Sequence, residues 1–139
     1  MIVITTQCFA PKIGGIESLM TGMAEALSDA GEDLIVLADG IEDKKDKKYR
    51  FKIKRFNAWK PIRRLQKANY LKKISKKNNI RVIFADSWKS TEYLNNIKTT
   101  VVVLAHGTEI PKQYWSKMLN LLRFKKNRIM SAYSNSNRI

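Results

Sequence analysis

The chain reads as one α/β domain built on a doubly wound parallel sheet of about six strands, expected in the order 3-2-1-4-5-6. Three observations predict it. Short β-branched runs alternate with helical segments along all 139 residues. The first 38 residues spell strand, glycine loop, helix and strand. Several strands are apolar from end to end, as strands covered on both faces must be.

Met1 to Thr5 is the first strand, and the loop after it holds Pro11 and Gly14-Gly15. In the segment that follows, Ile16, Leu19, Met20, Met23, Ala24, Leu27 and Ala30 recur at helical spacing, with Glu17, Ser18, Thr21, Glu25 and Asp29 on the other side. Gly31 closes that helix, and Asp33 to Ala38 is the second strand. The crossover between them should be right-handed and leave the strands parallel. Asp39 to Lys48 is a polar loop, and Phe51 to Phe56 alternates as a third strand with its lysines outward. Pro61 suits a helix start, and Ile62 to Asn79 holds good helix formers with apolar residues Ile62, Leu65, Ala68, Leu71 and Ile74 every third position, a step that drifts around an α-helix and leaves only a modest apolar face. Ile80 to Ala85 is a buried strand, Asp86-Ser87 caps a short helix through Trp88 to Ile97, and Thr99 to Ala105 is a further strand. A helix from Pro111 to Lys126 and a last strand from Arg128 to Tyr133 complete the expectation.

Composition bounds the function. The 44% hydrophobic and 28% charged residues are those of a folded globular domain. No apolar run approaches the roughly 20 residues of a membrane-spanning helix. Met1 leads into the first strand without a basic leader or cleavage site, so the expected compartment is the cytoplasm. Cys8, the single cysteine, has no partner for a disulfide and no ligand-spaced neighbour, and neither a metal site nor a bound cofactor is expected.

The net charge of +15 points to polyanionic partners. It is local: 17 of the 27 Lys and Arg lie between Lys44 and Arg81, and positions 47–85 hold no Asp or Glu. Lys52, Lys54, Arg55, Arg63, Arg64, Lys67, Lys72 and Lys73 form the candidate patch for an anionic membrane or another polyanion; the plainer reading is a solvated face. Tyr49, Phe51, Phe56 and Trp59 among these cations also fit a nucleic-acid surface, but no nucleic-acid motif accompanies them.

Ligands of such sheets bind at the carboxyl ends of the strands, where the loops after Thr5 and Ala105 lie. Gly14-Gly15 opens the amphipathic helix, whose free N–H groups favour an anion; equally, Gly15 permits a turn and Glu17 stabilises the first helical turn. The loop is not Gly-x-Gly-x-x-Gly and has no Gly-Lys-Ser/Thr, which speaks against dinucleotide and P-loop chemistry. His106, the only histidine, ends a strand on the ligand side, where it either meets a ligand or bonds backbone. No Gly-x-Ser-x-Gly elbow accompanies it, and Cys8 reads as a packed residue rather than a nucleophile. Trp59, Trp88 and Trp115 are dispersed and read as packing residues.

The run from Met1 through Gln7-Cys8-Phe9-Ala10-Pro11-Lys12-Ile13-Gly14-Gly15-Ile16-Glu17, and on to Gly31, resembles the opening of family 4 glycosyltransferases of the GT-B fold. Ile80 to Asp86, Val101 to Glu109 and Ile129 to Ser134 are similar to later strands of the same Rossmann-like N-terminal domain, in the same order. The resemblance implies a two-domain enzyme that transfers a sugar, with retention, from a nucleotide-sugar (UDP- or GDP-sugar) co-substrate to a glycan or glycolipid acceptor in envelope polysaccharide or glycolipid synthesis. It implies that Gly14 and Gly15 border the donor diphosphate and acceptor, that His106 faces the transferred sugar, and that Gly107 and Glu109 lie on the substrate side. It further implies that residues 1–139 are the acceptor-side domain, that the C-terminal donor-binding domain is not in this chain, and that this domain alone is inactive. A basic nucleic-acid-binding domain and a non-catalytic interaction module on the same fold are the competing readings.

Overall fold

The computed structural model describes residues 1–94, 97–104 and 127–132. Among them, five parallel strands form one sheet in the order β3-β2-β1-β4-β5: β1 (Ile2–Thr6), β2 (Leu34–Asp39), β3 (Lys52–Phe56), β4 (Val82–Ala85) and β5 (Thr100–Val103). Three helices connect them: α1 (Gly15–Asp29), α2 (Lys60–Ser75) and the short α3 (Trp88–Thr91), with a 3-10 turn over Lys44–Lys48. Ile4 on β1 stands beside Val36 on β2 and Phe84 on β4, which makes β1 the centre of the sheet. The order agrees with the expected 3-2-1-4-5. The chain moves outward from β1 to β3 and then returns to β4, so the order reverses between β1 and β4.

Each face of the sheet carries its own core, which is why β1 and β2 are buried throughout and apolar up to their polar carboxyl ends, Thr5-Thr6 and Asp39. On one face Ile2, Ile4, Leu34, Val36 and Ala38 pack with Met20 and Ala24 of α1 and with Phe9. On the other, Val3, Ile35, Leu37, Ile83, Ala85, Val101 and Val103 pack with Ala68 and Leu71 of α2 and with Leu94. Helix α1 ends as its sequence demands. Gly31 takes φ 80, its N–H reaches Ser28 O at 3.0 Å, and the next N–H, from Glu32, reaches Leu27 O at 3.1 Å. This Schellman arrangement satisfies two orphan carbonyls and needs a residue without Cβ strain at position 31.

Two expectations are corrected. Residues 127–132 are helical, not a strand: Ile129 and Ala132, three apart, both pack on Trp88, a spacing that only a helix brings to one side. The helix expected to reach Ile97 is the four-residue α3; its N-cap Ser87 makes no capping bond, and Asp86 Oδ1 instead accepts from the Ser90 hydroxyl at 2.6 Å. The three-residue apolar row of α2 drifts around the helix, as its spacing implies. At about 100° per residue each step of three drifts by about 60°, so Ile62 and Leu71 fall on opposite sides. Leu71 is buried and Ile62 is 50% exposed.

Candidate functional site at the sheet's carboxyl edge

Strand order reverses between β1 and β4, and Asp86 bridges their carboxyl ends. Asp86 follows β4 directly and is buried. Its Oδ2 accepts from Thr6 Oγ1 at 2.8 Å and from the Gln7 backbone N–H at 2.6 Å, both at the exit of β1. Its Oδ1 accepts from the hydroxyls of Ser90 and Ser87 at 2.6 and 3.2 Å. A further bond runs from Gln7 Nε2 to Ser87 Oγ at 3.0 Å. With four donors around it, Asp86 acts as a clamp that fixes how the glycine loop leaves the sheet.

A second polar group lies beneath that loop. Asp39, the last residue of β2, pairs through Oδ1 with Lys67 Nζ and through Oδ2 with Arg63 Nε, both at 2.7 Å. Lys67 Nζ also donates to the Thr6 carbonyl at 2.9 Å, tying α2 to the end of β1. Burial pushes the Lys67 ammonium below the ordinary lysine range, and the Asp39 carboxylate opposes that fall. Beside this group Arg55 of β3 grips Asp46 with two bonds of 2.6 Å and donates to the Ala10 carbonyl in the glycine loop. The Arg55 guanidinium holds the Asp46 carboxyl below its usual range. Strands β1, β2 and β3, helix α2 and the 3-10 turn are thus joined by charge-assisted bonds that converge on residues 6–10.

Above this floor, α1 begins at Gly15 with Gly14 as N-cap and no side-chain cap. Glu17 folds back over Gly14: a Cβ at position 14 would lie 2.3 Å from Glu17 Oε2. The start of α1 therefore presents a carboxylate next to its free N–H groups. Burial, with Asp86 and Glu17 adding to it, pushes the Cys8 thiol up to about 11, so Cys8 is a protonated packing residue at neutral pH.

A protein-family model described as Glycosyltransferase Family 4 matches residues 13–139. The chain belongs to glycosyltransferase family 4. None of the curated proteins compared with the chain matches it. The α/β sheet agrees with the N-terminal domain of that family, and the match begins inside the glycine loop.

In this glycosyltransferase domain, Gly14 and Gly15 lie between β1 and α1, in the loop that leaves the sheet's carboxyl edge. His106, Gly107, Glu109, Trp115 and the helix from Pro111 lie outside the described residues. The cationic patch is corrected in half its members. Arg55 and Lys67 are buried, Arg63 is held by Asp39, and Arg64 Nη1 donates to Glu92 Oε2 at 2.8 Å. Arg55 and Lys67 are structural cations, because a buried charge needs a partner and each has one; Arg63 and Arg64 are half-buried, as Lys72 is, and each has an acidic partner. Lys52, Lys54 and Lys73 are exposed and Lys72 is half-buried, so the surface that remains is sparser than the sequence suggested. Twelve of the 17 Lys and Arg between Lys44 and Arg81 are exposed, so a basic surface persists beyond these eight residues.

Sequence reasoning missed Asp39, Asp86, Thr6 and Gln7 as the residues that organise the edge. Their one signal was position, each standing at the carboxyl end of a strand. Separately, an open groove of about 530 Å3 runs between β3 and α2, lined by Lys54, Asn57, Gln66, Asn69, Tyr70 and Lys73 among others. Among the described residues, no helix is long and apolar enough to cross a membrane.

Proposed function

We propose that this domain is the acceptor-side half of a two-domain GT-B enzyme that moves a sugar from a UDP- or GDP-sugar to a glycan or glycolipid acceptor with retention of configuration. The family match over residues 13–139 carries the reading. The clamped glycine loop at the strand-order reversal supports it, since ligands of open α/β sheets enter there. The donor is a co-substrate, its nucleotide is held chiefly by the second domain, and no resident cofactor is invoked. The enzyme works in the cytoplasm, at the inner face of the membrane, where exposed cations meet anionic lipid and a lipid-linked acceptor.

The chemistry asks for charge stabilisation on a departing diphosphate and on a cationic sugar carbon. Gly14 and Gly15 contribute the start of α1, where backbone N–H groups and the helix dipole favour negative charge. Glu17 already lies over that start, so a diphosphate has to displace it, whereas a sugar hydroxyl can donate to it. His106 hydrogen-bonds the transferred sugar, and Gly107 and Glu109 line the acceptor side.

Steady-state transfer assays on the complete two-domain enzyme test this. His106→Ala should lower kcat by about ten- to a thousand-fold, the range for losing one stabilising donor, and leave nucleotide affinity nearly unchanged. Residues 1–139 alone should show no transfer. Turnover by the isolated domain refutes the division of labour, and a fully active His106→Ala enzyme refutes the site.

A further inference from the structure

Helix α2 leaves large apolar side chains in water at its leading end. Trp59, its N-cap, is 74% exposed, and Ile62 and Leu65 are half-exposed. The solvent face then continues through Asn69, Lys73 and Lys76, which follow Ile62 at intervals of seven, eleven and fourteen residues and are all exposed. The same face is thus apolar at the tip and cationic towards the tail. No Asp or Glu occurs in α2 or in the residues that line the groove beside it. Lys54, on the groove's β3 wall, is 3.5 Å from Glu42, with both side chains largely in solvent, a contact worth little in water.

We infer that the outward face of α2 docks on an anionic phospholipid surface, with Trp59, Ile62 and Leu65 entering the acyl boundary and the β3–α2 groove receiving a headgroup. The inference deepens the membrane contact proposed above and does not depend on the sugar-transfer chemistry. Charge complementarity selects lipid over a protein partner. A helix face of lysines and amides without a carboxylate suits phosphate oxygens. Three partly exposed apolar side chains also offer less area than the roughly 800 Å2 per partner of a standard protein interface. Tryptophan is the side chain that settles at headgroup depth, with its ring in the acyl boundary. Lys54 and Lys73, on opposite walls of the groove, supply the headgroup contacts, and Asn57, Gln66 and Asn69 add neutral donors and acceptors.

Flotation of the 139-residue chain with vesicles of equal phosphatidylglycerol and phosphatidylcholine, against phosphatidylcholine alone, is the test. Binding is expected only to the anionic vesicles. Replacing Trp59, Ile62 and Leu65 together by Ser should weaken it at least about tenfold and abolish the part that survives high salt. Lys54→Gln with Lys73→Gln should weaken it about twenty- to thirtyfold, from the roughly fivefold that one cation is worth near such a surface. In a Trp115→Phe background, brominated lipid should quench tryptophan emission, and less so once Trp59→Phe is added, because the remaining Trp88 is buried. Unchanged thermal midpoints will show that the surface variants fold. Equal recovery with both vesicles, no quenching, or an unaffected triple-Ser variant overturns the inference. So does self-association lost in the triple-Ser variant without vesicle binding, which assigns the face to a second copy, and RNA binding tighter than vesicle binding, which assigns it to nucleic acid. Failure of any of these leaves the transfer assay untouched, and an inactive two-domain enzyme leaves vesicle binding untouched.

Discussion

Replacing Asp39 by Asn should be among the most damaging single changes in the described structure, although it alters no shape. The carboxylate is 6% exposed and is the common partner of Lys67, itself 2% exposed, and Arg63, 19% exposed. The substitution would strip Lys67 of its counter-charge and leave it bonded to the Thr6 carbonyl, while Arg63 can turn towards solvent. Removing one member of a buried pair costs about 3–5 kcal/mol, against a total stability of about 5–15 kcal/mol for a typical domain. With a urea slope of about 2 kcal/mol/M, the midpoint should fall by about 2 M. Lys67→Met placed on top of Asp39→Asn removes the stranded charge and should recover at least about 2 kcal/mol of the loss. The pH dependence has a fixed sign. Without Asp39 the folded-state pKa of Lys67 drops further below 10.5, the unfolded chain binds the extra proton, and the variant should regain stability as pH rises towards 10.5. Urea titrations followed by circular dichroism at pH 7 and pH 10 measure both effects. A loss below about 1 kcal/mol, or no recovery in the double variant, would refute the claim that this pair is a buried, mutually dependent one.

Asp46 should set part of the acid limb of stability: its folded-state pKa lies below 3.8, so its contribution is present above that pH and lost as pH falls through the depressed value. In Asp46→Asn, acid titration followed by circular dichroism should show lower stability at neutral pH and a shallower acid limb; an unchanged limb removes Asp46 from the account. Cys8, with its pKa near 11, should alkylate far more slowly at pH 8 than a free thiol and accelerate up to about pH 11; labelling at the free-thiol rate would contradict the burial. Gly31→Ala should cost about 1–2 kcal/mol in thermal unfolding through backbone strain alone, since a Cβ there meets nothing within 4 Å. A neutral outcome would mean that the helix end repacks.

Legibility in the sequence followed the reach of each signal. The β1–α1–β2 unit could be read because its evidence is local: a helical period stopped by a glycine that the structure places at φ 80, followed by an apolar strand. Residues 127–132 could not be read, since a short run such as Ile129-Met130-Ser131-Ala132 fits either period and only its docking on Trp88 decides. The cationic tract failed for a different reason. Positions 47–85 hold no acid, and that reads as unbalanced charge only while the chain is treated as a line. Folding brings in acids from outside the tract: Asp39 to Arg63 and Lys67, Asp46 to Arg55, and Glu92 to Arg64. The drift of α2, legible in its three-residue spacing, turns Ile62 and Leu65 out beside the lysines that stay free of the core. Both effects arise on α2 and neighbouring β3, where they make a buried ionic floor under the glycine loop and a narrow apolar tip on the surface. The floor holds the carboxyl edge in place, and the tip lies on the helix that leaves that same edge. Lipid contact and acceptor entry would then be neighbouring functions of one side of the domain.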